Sequence, residues 1–111
     1  MAYYKRADVY LARGSPKLAL SDLKKSMTLK PDFTPALISH GNVLFKLGHL
    51  AKAREDYAAV LKYDPSNKEA DKQLGMTRTL EERITLGDQL FQSNQHEQAL
   101  DAYSEVIMVR Q

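Results

Sequence analysis

A period of 34 residues constrains this chain more than any other feature. Read at that offset, Gly14 lies under Gly48, Ala19 under Ala53 and Pro31 under Pro65. Ala7 pairs with Gly41, Tyr10 with Leu44, Leu23 with Tyr57 and Met27 with Leu61. A third copy, LGDQLFQSNQHEQALDAYSEVI, sets Leu86, Gly87, Leu90, Asn94, Ala99, Tyr103 and Val106 at the same offsets. Its Ala99 follows Ala53 by forty-six residues, so twelve residues are inserted. A repeat of this length is one supersecondary unit. It cannot bury its apolar face alone, and stacked neighbours complete the core.

Each copy reads as two helices. In the second copy Leu37, Val43, Leu44, Phe45 and Leu47 carry helical spacing, and Gly48 ends the run. Glycine closes a helix in the left-handed conformation without steric cost, and Asn94 takes that place in copy three. Pro16 suits a first helical turn after Ser15, and Leu50 opens the matching helix of copy two. Pro31 and Pro65 end the second helices, with Asp32, Ser66 and Asn67 as turn residues. Helices joined by two or three residues cross tightly. Ala7 or Gly41 on the first helix and Ala19 or Ala53 on the second let the backbones approach. Residues 68–79, KEADKQLGMTRT, break the register. The spacing of Leu74, Thr77, Leu80 and Ile84 predicts one long helix from about Lys68 to Gln92, capped by Ser66 or Asn67 and crossing Gly75 and Gly87; the alternative is a short extra helix and a break near Gly75.

Composition excludes several function classes. Without cysteine there is no disulfide framework and no thiolate metal site. No apolar run reaches membrane-spanning length, and MAYYKRADVYL carries charges where a signal peptide is apolar. Residues 1–62 hold eleven Lys/Arg against five Asp/Glu, and residues 63–111 hold five against nine. The cations are scattered over both helices of each pair, which reads as solvated faces rather than a nucleic-acid footprint. His40, His49 and His96 stand at no metal-ligand spacing, and His40 reads as a hydrogen-bonded structural histidine. There is no phosphate-binding loop and no nucleophile elbow. The chain is expected to be no enzyme and to need no cofactor.

A 34-residue helix-turn-helix with small residues at positions eight and twenty and proline near thirty-two resembles the tetratricopeptide repeat. The copies run 1–33, 34–67 and 80–111, with 68–79 as a helical insertion, in one array over 1–111. The resemblance implies an all-α, right-handed superhelical solenoid of three helix pairs. YYKRADVYLARG, LKPDFTPAL and the insertion after copy two narrow it. They are similar to the amino-terminal repeat region of the ER-lumenal J-domain co-chaperones, the inhibitors of the double-stranded-RNA-activated kinase within DnaJ subfamily C. That family joins nine such repeats to a carboxy-terminal J domain. Its His-Pro-Asp signature is absent here, so stimulation of a heat-shock chaperone would reside outside these residues. The resemblance implies residence in the endoplasmic reticulum lumen and a place in the unfolded protein response. It implies unfolded client proteins and an ER heat-shock chaperone as partners, and a translation-factor kinase as a further one.

In such arrays repeat positions two, five, nine, twelve and thirteen face the concave surface. The resemblance puts Tyr4, Leu11, Ile38, Phe45, Ile84 and Phe91 there, with polar residues such as Asp8, Asn42, Lys46 and Asp88 between them. An apolar face of this kind suits extended unfolded polypeptide. A clamp for the acidic carboxyl terminus of a cytosolic heat-shock chaperone needs cationic and amide donors. Its positions hold Tyr4, Asp8, Ser39, Glu81 and Thr85, so that grip is rejected. The expected function is a co-chaperone module that holds client polypeptide. The alternative is a non-catalytic scaffold or a kinase-inhibiting interaction domain. In the last helix Leu100, Tyr103, Ile107 and Met108 cannot all face inward, which predicts a sticky face.

Overall fold

The computed structural model describes residues 1–110, with side chains through residue 108. The described residues hold six helices and no strand, so the all-α expectation stands. They are α1 Ala2–Ala12, α2 Pro16–Leu29, α3 Thr34–Lys46, α4 Leu50–Tyr63, α5 Lys68–Gln92 and α6 His96–Arg110. The chain forms two compact units, Met1–Leu74 and Gly75–Gln111.

The helix stops are the same device used three times. Gly14 and Gly48 take φ of 74° and 87°, and Asn94 takes 60°. At each stop the residue after it donates its N–H five residues back: Ser15 to Tyr10 at 2.8 Å, His49 to Leu44 at 2.9 Å, Gln95 to Leu90 at 2.8 Å. The stop residue donates to a carbonyl one turn back, Gly14 to Leu11 and Gly48 to Phe45. This pair of bonds satisfies carbonyls that a helix end would leave unpaired. α5 starts as expected, with the Asn67 side-chain oxygen accepting from the Ala70 N–H at 2.9 Å. It then runs unbroken through Gly75 and Gly87.

In the first unit α1 packs on α2, α2 on α3 and α3 on α4. Three buried clusters fill it. Ala7, Ala19, Leu23 and Ala36 form the first. Leu44, Ala53, Tyr57 and Leu74 form the second. Leu37, Val60 and Ala70 form the third, reached by Met27 from α2. The second unit holds the rest of α5 and α6, with Ala99, Ala102 and Val106 buried.

Within each pair, residue size is matched across the crossing. Gly41 faces Tyr57 so closely that a Cβ there would lie 2.9 Å from the ring. Gly87 faces Tyr103 in the same way, at 2.5 Å. Where the first copy has the larger Ala7, its partner is the smaller Leu23. The two tyrosine hydroxyls donate back across the crossing, Tyr57 to Asn42 at 2.6 Å and Tyr103 to Asp88 at 2.5 Å. A second polar tie recurs beside it in the first two copies. Arg6 grips Asp22 with two 2.7 Å bonds, and thirty-four residues on His40 meets Asp56 at 2.5 Å. His40 is therefore a structural histidine, as its position suggested. The third copy replaces this tie by Leu86 and Ala102.

Candidate functional site

The candidate face in the first unit lies on α1 and α3. A cavity of about 430 Å³ opens there, lined by Leu11, Gly14, Pro16, Ser39, Asn42, Val43, Lys46 and Leu47. Ser39, Asn42, Val43, Lys46 and Leu47 lie three and four residues apart, so one face of α3 supplies most of the wall. Leu11 and Pro16 close it from the first pair, beside the Gly14 turn. The wall is mainly apolar, with a short polar row of Ser39, Asn42 and Lys46. Asn42 is held in place from behind. Its side-chain oxygen accepts from Tyr57, which leaves the amide N–H₂ as the group it offers on its other side. Tyr57 is fully buried, and burial beside Asp56 and Glu69 pushes its phenol above the ordinary tyrosine range. It therefore stays protonated and keeps donating.

The six residues expected on the concave face have different surroundings. Leu11 lines the cavity and also packs on the first cluster. Tyr4 is half-buried against Phe33, edge to face at 5.2 Å between ring centres. Ile38 packs on the third cluster and Phe45 on the second. Ile84 is half-buried in the second unit. Phe91 is 58% exposed and meets His96 edge-on. The structure thus brings Leu11 to a cavity, leaves Phe91 open, and engages Tyr4, Ile38 and Phe45 in packing. The cavity residues that the sequence reading missed as a site are Ser39, Val43 and Leu47. Their spacing with Asn42 and Lys46 was the available signal.

Electrostatics serve the scaffold. The Arg6 guanidinium, hydrogen-bonded to Asp22, holds that carboxyl below its ordinary value, and Asp22 raises the guanidinium in return. The bond from Tyr103 to Asp88 raises the phenol. Among the described residues no group of three or more His, Asp or Glu is placed to hold a metal ion. No described helix is long and apolar enough to cross a membrane.

Two sequence profiles of the tetratricopeptide repeat match, over residues 2–33 and 39–67. DnaJ homolog subfamily C member 3 of Rattus norvegicus is 49% identical over 77 residues, covering 67% of this chain and 15% of the relative. Its counterpart in Gallus gallus is 38% identical over 112 residues, covering 98% and 22%. The Hsp70-Hsp90 organizing protein of Triticum aestivum is 40% identical over 67 residues, covering 60% and 12%. The chain thus spans less than a quarter of the length of each of these relatives. The crystal structure of the P58(IPK) TPR domain matches with a TM-score of 0.88 at 36% identity, over 96% of this chain and 31% of that one.

Proposed function

The chain belongs to the tetratricopeptide repeat family, and on that premise we propose that it is the client-holding segment of a co-chaperone. The observation that carries this reading is the apolar-walled cavity on α1 and α3, with its row of polar donors. A pocket of this size has room for apolar side chains of an extended client segment, while Ser39, Asn42 and Lys46 meet backbone carbonyls of the same segment. Few directional partners make for weak, sequence-tolerant holding, which is what a succession of unfolded clients requires. Tyr4, Leu11, Ile38, Phe45, Ile84 and Phe91 form the apolar face, in two sets that belong to the two units.

Relatives named as DnaJ homologs and as an Hsp70-Hsp90 organizing protein support the co-chaperone assignment. Hand-off to a heat-shock chaperone passes through a J domain beyond these residues, in the endoplasmic reticulum lumen. The positions where an acidic terminus would be clamped hold Tyr4, Asp8, Ser39, Glu81 and Thr85, so that route is not used here. A second reading, a plain scaffold, is favoured by the packing of Tyr4, Ile38 and Phe45 against core clusters.

The two readings part on the variants Leu11→Ser and Phe91→Ser, measured by thermal melt and by suppression of aggregation of a denatured protein. Client holding requires loss of suppression, with a near-parental melt for Phe91→Ser. Suppression unchanged in both, at parental stability, sinks the client face and leaves the scaffold.

A further inference from the structure

Asn42 lines the cavity of about 430 Å³ on α1 and α3, and its orientation is fixed from the core. Its side-chain oxygen accepts from the Tyr57 hydroxyl at 2.6 Å. Tyr57 is fully buried, and its ring lies so close to Gly41 that a Cβ there would stand 2.9 Å away. The ring cannot swing, so the hydroxyl has one direction in which to donate. A primary amide carries an acceptor on one branch and two donors on the other. With the oxygen taken, the N–H₂ is the group left for the cavity. Ser39 and Lys46 stand three residues before Asn42 and four after it, on the same face of α3. Lys46 can only donate, and the serine hydroxyl rotates to donate or accept. The polar edge of the wall is thus weighted towards donors, beside the apolar Leu11, Val43 and Leu47.

The repeat holds an internal comparison. Forty-six residues on, Tyr103 donates to Asp88 at 2.5 Å. The same hydroxyl in the same register there meets a carboxylate, which has no donor to offer. In copy one the position holds Asp8, and Leu23 opposite carries no hydroxyl. The tyrosine tie therefore needs an acceptor oxygen and nothing more, since Asp88 serves it as well as Asn42 does. The N–H₂ of Asn42 is surplus to the tie.

We propose that Tyr57 is a positioning residue that sets the hydrogen-bond polarity of this cavity. By taking up the Asn42 oxygen it turns the amide donors to the client. The site then selects segments that present an acceptor oxygen, a backbone carbonyl or a side-chain carboxylate, next to an apolar side chain. It discriminates against segments with lysine or arginine at that place. Such a group would meet the Asn42 N–H₂ and the Lys46 ammonium, donor against donor, which is selection by exclusion of the wrong partner. Donors already held in direction also lose less freedom on binding than free ones. The proposal rests on the client-holding reading of the same cavity and adds the chemistry that the cavity selects.

Fluorescence anisotropy of labelled peptides against the full 111-residue chain tests it. The probes are an extended leucine–serine peptide and its twins with glutamate or lysine beside the central leucine. The parent should bind the neutral and glutamate peptides, and the lysine peptide about tenfold more weakly, the scale of one hydrogen bond. Asn42→Asp keeps the oxygen that Tyr57 needs, so its melt should stay near the parent's. It should bind the glutamate peptide about tenfold more weakly than the parent does and lose the preference against lysine. Tyr57→Phe keeps the ring and frees the amide, and should narrow the same preference. A thermal melt reports whether each variant is folded. Either variant alone decides the matter, because the ratio between glutamate and lysine peptides does not move when part of the protein is simply unfolded. A parent that binds the glutamate and lysine peptides equally overturns the proposal, as does a ratio unchanged in Asn42→Asp; in both cases client holding stands. A parent that binds none of the three peptides overturns client holding, and this proposal with it.

Discussion

Gly41→Ala should destabilise the chain although it adds a better helix former to α3. In a free helix the change would stabilise by about 1 kcal/mol. Here the new Cβ falls 2.9 Å and 3.2 Å from two Tyr57 ring atoms and 3.2 Å from the Asp56 Cβ. The ring cannot swing aside, because Tyr57 is fully buried and its hydroxyl is tied to Asn42. Overpacking of this kind costs about 1–3 kcal/mol. The net effect is a loss of about 0–2 kcal/mol, where relief of the clash would have been a gain. The partner change Tyr57→Leu removes ring volume and leaves Asn42 without its donor, at about 2–3 kcal/mol, below the ~3–5 of full aromatic truncation. The double variant rebuilds the Ala7–Leu23 pairing that the first copy already uses. Its Ala Cβ enters space the ring has left, so the double should be more stable than the sum of the singles by about 1–2 kcal/mol. Denaturant unfolding of the four proteins reads this directly, and about 1 kcal/mol corresponds to some 4 °C in Tm. Additivity within about 0.5 kcal/mol, or a Gly41→Ala protein more stable than the parent, refutes the size-matching argument.

Three further outcomes follow from the same packing. Gly75 has no atom within 4 Å of where a Cβ would stand, so Gly75→Ala should raise Tm by the helix-propensity gain of about 1 kcal/mol, whereas Gly87→Ala, 2.5 Å from the Tyr103 ring, should not. Ala53 is fully buried in the second cluster, and Ala53→Leu should cost at least the ~1–3 kcal/mol of overpacking, read as a fall in Tm; an unchanged melt would place Ala53 away from the crossing. The Arg6 bond lowers the Asp22 carboxyl in the folded state, so its stabilisation is present above the ordinary aspartate range and is lost as pH falls through the lowered value. Asp22→Asn should therefore weaken the chain at neutral pH and flatten the acid limb of a Tm-against-pH curve; an acid limb as steep as the parent's would show that other carboxylates set it.

The helices were legible because their signals are local. Gly14, Gly48 and Asn94 each sit at a backbone conformation that few other residues accept, so three helix ends could be read from three letters. Asn67 announced the start of α5 in the same way. The long helix was legible too, since Leu74, Thr77 and Leu80 keep one face buried across the inserted residues. What periodicity could not supply was partnership across the crossing. The repeat aligns Arg6 with His40 and Asp22 with Asp56, but only coordinates show each pair meeting. The correspondence of Gly with Tyr and of Ala with Leu was present in the two strings. Its meaning depends on a separation that a string does not hold.

The candidate face shows where register and chemistry part. Repeat position fixes the direction in which a side chain leaves its helix, and it does not fix whether a neighbour already covers that side chain. Phe45 and Phe91 share one repeat position, yet Phe45 packs on the second cluster and Phe91 stands open. Ile38 and Ile84 share another, in different units. A residue of this kind serves packing or binding according to what lies beside it. The same logic applies to α1 and α3. Val9 and Val43 are the same residue at the same register, one 57% exposed and the other 6%. Identity and helix position are held constant between them, so the difference in burial comes from the neighbouring helix alone. The burial of a helix position in the repeat therefore depends on whether another helix packs against it, as α2 packs on α3.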